Sequence, residues 1–197
     1  DLGVATVTIP DSHEVGVIEA PSIWRLEFGP NPARHIVLKS VTPLEGDALY
    51  RKMNGALDDS NASEAFVFVH GYNVPFAAAA KRAAQLSYDM NFPGVTVLYS
   101  WPSRGSTLGY LSDTAVVRHS GRRLSRFLDD LVARSQATTI HIVAHSMGNR
   151  ALTDALELLA LRRGVQPGHT PLFDQVVFAA PDMDADLFQE MVPVIDP

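Results

Sequence analysis

The stretch Ile-His-Ile-Val-Ala-His-Ser-Met-Gly at residues 140–148 decides the fold. It opens with a short apolar run, residues 140–144, of the length and composition typical of a buried strand. A helix-like stretch follows directly after the serine. In the order strand, tight turn, helix, this pattern predicts a sharp bend that exposes the Ser146 hydroxyl at a helix N-terminus, where developing negative charge is favoured. Ala144 and Gly148 are the small residues that so crowded a bend requires.

A second apolar run ends in His-Gly-Tyr-Asn at residues 70–73. A glycine here lets the backbone turn, so that an amide N–H can face a substrate oxygen. With the bend at the serine, this pattern predicts an oxyanion hole formed by the amides of Met147 and Tyr72, with Asn73 as the near alternative to Tyr72. A plain strand-to-helix turn, in which His70 is simply packed and hydrogen-bonded, explains the same pattern equally well.

Strand and helix patterns alternate along the chain. The strand patterns lie at residues 65–69, 95–99, 140–144 and 173–180, and the helix patterns at 77–86, 124–132, 151–161 and 185–191. This alternation predicts an α/β fold with a mostly parallel sheet covered by helices on both faces. Upstream, the patterns predict strands at residues 4–9, 23–28 and 35–41, forming an antiparallel N-terminal edge of the sheet, and a short helix at 45–52.

Composition limits the functional classes. The chain has 197 residues, 46% of them hydrophobic, which predicts a single domain spanning 1–197 with a sizeable core: an N-terminal β edge with a short helix over 1–60, then an α/β core over 61–197. The formal charge of −6 disfavours a nucleic-acid partner. The absence of cysteine excludes disulfides, thiol catalysis and thiolate metal sites. No run reaches the roughly 18 to 20 apolar residues of a transmembrane helix.

Four motifs, at residues 68–73, 100–103, 144–149 and 179–184, together resemble those of the α/β-hydrolase superfamily, and most closely the bacterial esterase/lipase-like branch called DUF900. The resemblance implies an α/β-hydrolase fold in which Ser146 is the nucleophile and no metal or organic cofactor is needed. It implies an ester substrate, small-molecule or lipid-like, and it favours an extracytoplasmic location, periplasmic or secreted, while the sequence itself leaves the location open. The residues that it implies at the pocket are His70, Gly71, Asn73, Trp101 and His145.

The resemblance also implies the order nucleophile, acid, histidine along the chain. The only histidine after Ser146 is His169, which we expect at the far end of the following helix, about 20 Å from the serine. Asp182 is the candidate acid, followed by Asp184 and Asp186; the competing interpretation is that residues 181–184 cap the next helix. The family continues with two further strands. We therefore expect the chain to be a fragment whose missing C-terminal part carries the base. Whether this chain associates with that missing segment or forms a homo-oligomer is left open.

Other histidines are assigned by position. We expect His145 to point away from the serine hydroxyl and His141 to be packed in its strand. His119 begins the second helix and stays open as a base. His13 and His35 are predicted to be surface or loop residues.

Three functions remain open on the sequence alone. The first is a carboxylester hydrolase acting through an acyl-enzyme at Ser146. The second is an acyltransferase on the same scaffold, in which an alcohol replaces water. The third is a binding module that retains the bend but lacks the base.

Overall fold

The computed structural model describes residues 1–22, 24, 27–102, 110–164 and 171–195. Within these ranges the chain forms six strands and five helices. In chain order they are β1 (Leu2–Thr8), β2 (Val37–Leu44), α1 (Gly46–Ser60), β3 (Glu64–Val69), α2 (Phe76–Asp89), β4 (Val95–Tyr99), α3 (Tyr110–Arg134), β5 (Thr139–His145), α4 (Gly148–Arg163), β6 (Gln175–Ala179) and α5 (Ala185–Ile195).

Four strands form a parallel sheet in the order β4-β3-β5-β6. The chain runs outward from β3 to β4, crosses back to β5 and continues outward to β6, so the winding direction reverses between β3 and β5. In sheets of this kind, ligands bind outside the carboxyl ends of the strands at this reversal. The predicted α/β-hydrolase-like fold with a mostly parallel sheet is confirmed.

Apolar side chains cover both faces of the sheet. Alternate residues of β3, such as Val67 and Val69, belong to a buried cluster with residues of α1, α3 and α4. Phe66 and Phe68 face the opposite side, where they pack with Ala83 of α2. Burial on both faces explains why β3 is continuously apolar instead of alternating.

The N-terminal strands differ from expectation in two respects. β1 and β2 pair antiparallel, as predicted, but they form a two-stranded sheet of their own and are not hydrogen-bonded to the edge of the parallel sheet. The strand expected at residues 23–28 is absent at Trp24, Glu27 and Phe28, the residues of that segment that the structure describes. Its loose alternation lacked a partner strand, and Trp24 and Phe28 are almost fully exposed.

His13 and His35 lie in loops, as predicted, but neither side chain faces solvent: the His13 side chain is 2% exposed and His35 is buried. The His13 ring lies between the carboxylates of Glu19 and Asp89, with nitrogen–oxygen distances of 2.9 and 2.7 Å. His35 Nε2 contacts the Glu27 carboxylate at 3.1 Å. Each carboxylate gives the imidazole a polar partner that compensates for burial.

All five helices extend beyond their predicted bounds, α1 and α3 by the most. α1 continues to Ser60, where Asn61 adopts a left-handed conformation that ends the helix. α3 begins at Tyr110, so His119 lies inside this helix, on its exposed side, and not at its start. Among the described residues, no helix combines the length and apolarity needed to span a bilayer.

Candidate active site

The register of the sheet brings the ends of three strands together at one edge. Val69 of β3 pairs with Ala144 of β5, and His145 pairs with Ala179 of β6. The segments that follow these strands therefore emerge side by side, at the point where the winding reverses. This edge holds the residues that the sequence singled out.

Ser146 occupies a sharp turn between β5 and α4. Its φ is 51°, in the left-handed region that non-glycine residues rarely adopt and that costs of order 1–3 kcal/mol. Its N–H donates to the Ala179 carbonyl at 3.0 Å, which ties the turn to the end of β6. The residue is partly exposed, and its hydroxyl makes no hydrogen bond with any described residue. The structure thus has a sharp turn at Ser146, and the role of this serine as a nucleophile stays a prediction.

Two glycines allow the β3 loop to lie directly against this turn. A Cβ on Gly71 would lie 2.9 Å from the Ser146 Cβ and 2.9 Å from the His145 carbonyl oxygen. A Cβ on Gly148 would lie 2.5 Å from the His70 carbonyl oxygen and 2.8 Å from that of Val69. Both positions exclude a side chain, because the backbones on either side approach too closely.

The predicted oxyanion donors lie beside this contact. Met147 is fully buried at the start of α4, and its N–H has no backbone partner within the described ranges. Tyr72 is half-buried and Asn73 is exposed, with a φ of 57°. The structure thus brings the Met147 and Tyr72 segments to the same edge as Ser146; their role as donors stays a prediction.

His70 is a packed histidine that holds the loop. It is fully buried, and its ring stacks on Trp101 with the centroids 5.3 Å apart. Nδ1 lies 2.9 Å from the Gly71 carbonyl oxygen, which only accepts, so Nδ1 carries the proton and Nε2 accepts from the Ser100 hydroxyl at 3.1 Å. Trp101 Nε1 donates to the His70 carbonyl at 2.7 Å. Trp101 therefore contacts the loop that lies against the Ser146 turn; its place in the pocket stays a prediction.

Burial lowers the pKa of the His70 imidazole, because the charged form loses its hydration. Below its ordinary pKa of about 6.5, the unfolded chain binds a proton that the folded chain resists. We therefore expect His70 to contribute stability above pH 6.5 that is lost as the pH falls below this value. His70→Asn keeps a donor near Nδ1 but cannot titrate. Urea unfolding between pH 5 and 8 should show a steeper acid-side loss for the wild type than for this variant.

Identical slopes for the wild type and His70→Asn would contradict the prediction.

The described histidines have hydrogen-bond partners or positions other than the Ser146 hydroxyl. His145 is exposed, with its Nδ1 near Gly71. His141 lies in β5, with Nε2 3.3 Å from Glu64 and Nδ1 3.5 Å from Asp174. His169, which we did not expect to be the base, lies outside the described residues. No hydrogen bond between a histidine and the Ser146 hydroxyl occurs in the part of the chain that the structure describes.

Asp182 is anchored at the Ser146 turn through its main chain. Its N–H lies 3.4 Å from the Ser146 carbonyl oxygen, and its own carbonyl accepts from Arg150 Nε. The carboxylate forms an ion pair with Arg150, at 3.2 Å. Asp184 fits the competing interpretation, since its Oδ1 accepts from the Asp186 N–H at the start of α5. Asp182 thus lies near the site, with its carboxylate directed to Arg150.

Two residues at this edge had no role assigned from the sequence, namely Asn149 and Arg150. The Asn149 side chain donates to the carbonyls of Ser146 and Ala179, at 2.7 and 3.1 Å. A short polar residue in the first turn of the helix was the available signal for Asn149. Arg150 gave no signal, because its partner Asp182 lies 32 residues away.

No cluster of three or more histidine, aspartate and glutamate side chains in the described ranges has an arrangement suited to a metal ion.

Comparison with known proteins gives a family match and one structural likeness. The model of a family described as "Alpha/beta hydrolase of unknown function (DUF900)" matches residues 45–195, well over half of the chain. A solved Trichoderma reesei cutinase, in complex with a C11Y4 phosphonate inhibitor, is similar with 13% identity and a TM-score of 0.36, over 74% of this chain and 76% of the cutinase chain. That TM-score is too low to support any statement about the site. No curated protein matches.

Proposed function

Because the chain belongs to the DUF900 family of alpha/beta hydrolases of unknown function, we propose that it is a serine hydrolase that cleaves carboxylic esters of small or medium acyl groups through Ser146. The observation that carries the proposal is the strained turn at this residue. A serine with a φ of 51° stands at the reversal point of the sheet, with a glycine loop against its Cβ. Strain of this kind persists where the surrounding structure imposes it, and it clusters at active sites.

The proposed chemistry is acyl transfer through a tetrahedral intermediate. The Ser146 oxygen attacks the ester carbonyl and loses its proton to a general base, giving a tetrahedral intermediate whose oxyanion accepts from the Met147 and Tyr72 amides. Collapse expels the alcohol, which takes up the proton, and leaves an acyl-enzyme. Water then attacks this acyl group, releases the carboxylic acid and restores the serine hydroxyl.

The general base is assigned to none of the described histidines, because none of them is hydrogen-bonded to the Ser146 hydroxyl. Asp182 is retained as the candidate orienting acid, since its main chain is anchored at the Ser146 carbonyl. To orient the base, the Asp182 carboxylate would have to bind the base in addition to Arg150, or release Arg150.

The direct test is labelling of the full-length protein with a fluorophosphonate probe, followed by peptide mass spectrometry. We expect one adduct, on Ser146, and hydrolysis of p-nitrophenyl butyrate that stops when labelling is complete. Adding a simple alcohol during turnover separates water from an alcohol as acyl acceptor, and so tests the acyltransferase alternative.

A non-catalytic binding module is the second candidate, favoured because no histidine among the described residues is hydrogen-bonded to the Ser146 hydroxyl. It predicts a full-length protein that neither reacts with the phosphonate nor hydrolyses the ester. That result would overturn the hydrolase proposal and favour the binding module.

A further inference from the structure

Asn149 is attached to the turn at Ser146 by side-chain hydrogen bonds in addition to the backbone hydrogen bond of the first helical turn. It is fully buried in the first turn of α4. Its side-chain amide donates to the Ser146 carbonyl at 2.7 Å and to the Ala179 carbonyl at 3.1 Å, while its backbone N–H also donates to the Ser146 carbonyl, at 3.0 Å. Both neighbouring groups are carbonyls, which only accept, so the nitrogen of the carboxamide must face them.

The two carbonyls lie in two strained turns. Ser146 itself has a φ of 51°, and Ala180, which follows the second carbonyl, has a φ of 42°. One carboxamide therefore fastens the left-handed turn after β5 to the left-handed turn after β6. The Asp182 N–H, 3.4 Å from the Ser146 carbonyl oxygen, adds a further contact between the same two turns.

The Ser146 carbonyl and the Met147 N–H belong to one peptide group. The described backbone contains no cis peptide bond, so this group is planar and its C=O and N–H point in opposite directions. Whatever holds the carbonyl consequently sets the direction of the amide. In the proposed function, the Met147 N–H donates a hydrogen bond to the oxyanion on which negative charge develops.

The carbonyl oxygen of the same carboxamide, Asn149 Oδ1, indicates that this side chain does more than stabilise the fold. Asn149 Oδ1 is buried and has no hydrogen-bond partner within the described residues. A buried acceptor without a partner is costly. If Asn149 served stability alone, we would expect Oδ1 to accept a hydrogen bond. If its role is to donate through its two N–H groups, Oδ1 can remain without a partner.

We infer that Asn149 is a positioning residue that aims the Met147 amide at the oxyanion by holding the opposite end of its peptide group. This inference rests on the proposed function for its catalytic consequence. Asn149 does not touch the substrate. It acts through the Ser146 carbonyl, and its loss should lower the rate of the chemical step more than it weakens substrate binding.

The test compares Asn149→Ala with Asn149→Ser and with Thr153→Val. Serine in a helix can return a donor to the carbonyl three residues earlier, so it should restore part of the effect. Thr153 is buried one turn later on α4, and its hydroxyl donates to the Asn149 carbonyl at 2.8 Å. Thr153→Val is therefore the matched control, because it removes a buried hydrogen bond that does not involve the Ser146 carbonyl.

We expect kcat for p-nitrophenyl butyrate to fall roughly 10- to 100-fold in Asn149→Ala with KM nearly unchanged, less than for the outright loss of an oxyanion donor. The rate of fluorophosphonate labelling should fall in parallel. Asn149→Ser should lie between this variant and the wild type, and Thr153→Val should retain wild-type kcat at a comparable loss in melting temperature. Equal kcat in Asn149→Ala and Thr153→Val would overturn the inference.

A readout without turnover separates this inference from the proposed function. The ¹H–¹⁵N resonance of Met147 should shift strongly in Asn149→Ala and hardly at all in Thr153→Val. An unmoved Met147 resonance overturns the inference even if the enzyme is active. A wild type that resists the phosphonate, combined with a shifted resonance, overturns the hydrolase and leaves the aiming of the amide by Asn149 supported.

Discussion

Ser146→Ala should abolish ester hydrolysis in the full-length protein while its melting temperature changes little. Loss of the nucleophile in a serine hydrolase lowers kcat by about 10⁴- to 10⁶-fold, since the remaining groups cannot form an acyl-enzyme. Stability should be preserved because the hydroxyl bonds to no described residue, and because alanine meets the same backbone strain at a φ of 51°. Initial rates with p-nitrophenyl butyrate and a thermal melt of the same preparation check both parts.

Ser60→Ala is the matched control for this substitution. Among the described residues its hydroxyl bonds only to carbonyls of its own helix, those of Ala56 at 2.8 Å and Leu57 at 3.2 Å, and it lies far along the chain from the site. This variant should retain full turnover. Hydrolysis that persists in Ser146→Ala would remove the serine from the mechanism and with it the proposed function.

Gly148→Ala should be the most damaging single methyl group that can be added at this edge. The new Cβ would meet two backbone oxygens of the β3 strand and loop, at 2.5 and 2.8 Å, and neither can rotate away. The start of α4 must move outward, which we expect to lower the free energy of unfolding by about 1–3 kcal/mol. Because Ser146 and Met147 move with the helix, the kcat of ester hydrolysis should fall by about 10²-fold for a displacement near 1 Å.

Gly55→Ala provides the control in a helix where there is room. No atom lies within 4 Å of a Cβ at this position in α1, so alanine should raise the free energy of unfolding by about 0.5–1 kcal/mol and leave kcat unchanged. Urea unfolding and p-nitrophenyl butyrate kinetics on both variants make the comparison. Wild-type stability and rates in Gly148→Ala would mean that β3 and α4 are not in contact as the structure has them.

The main sheet was predictable from the sequence because parallel strands buried on both faces are continuously apolar. This property identified β3, and the short apolar run with the small residues around Ser146 identified β5 and the turn between β5 and α4. The pattern at residues 23–28 gave a false strand, because loose alternation is a weak signal in the absence of a partner strand.

Features that depend on distant partners escaped prediction. The His13 side chain is buried because Asp89, 76 residues away, provides an acceptor at 2.7 Å. Asn149 acts on the Ala179 carbonyl, 30 residues along the chain. Neither relation leaves a local pattern, since it arises only when the turns after neighbouring strands are brought together by the fold.

The separate pairing of β1 with β2 has a consequence for how the protein opens. Since these strands share no ladder with the parallel sheet, their amides can exchange with solvent through a subglobal opening that leaves β3 and β5 intact. Protection against deuterium should therefore fall into two classes, lower in the N-terminal ribbon and higher in the two inner strands. Ser146 and the amides around it follow the slowly exchanging strands β3 and β5. Their geometry should therefore be preserved when β1 and β2 separate from the rest of the protein.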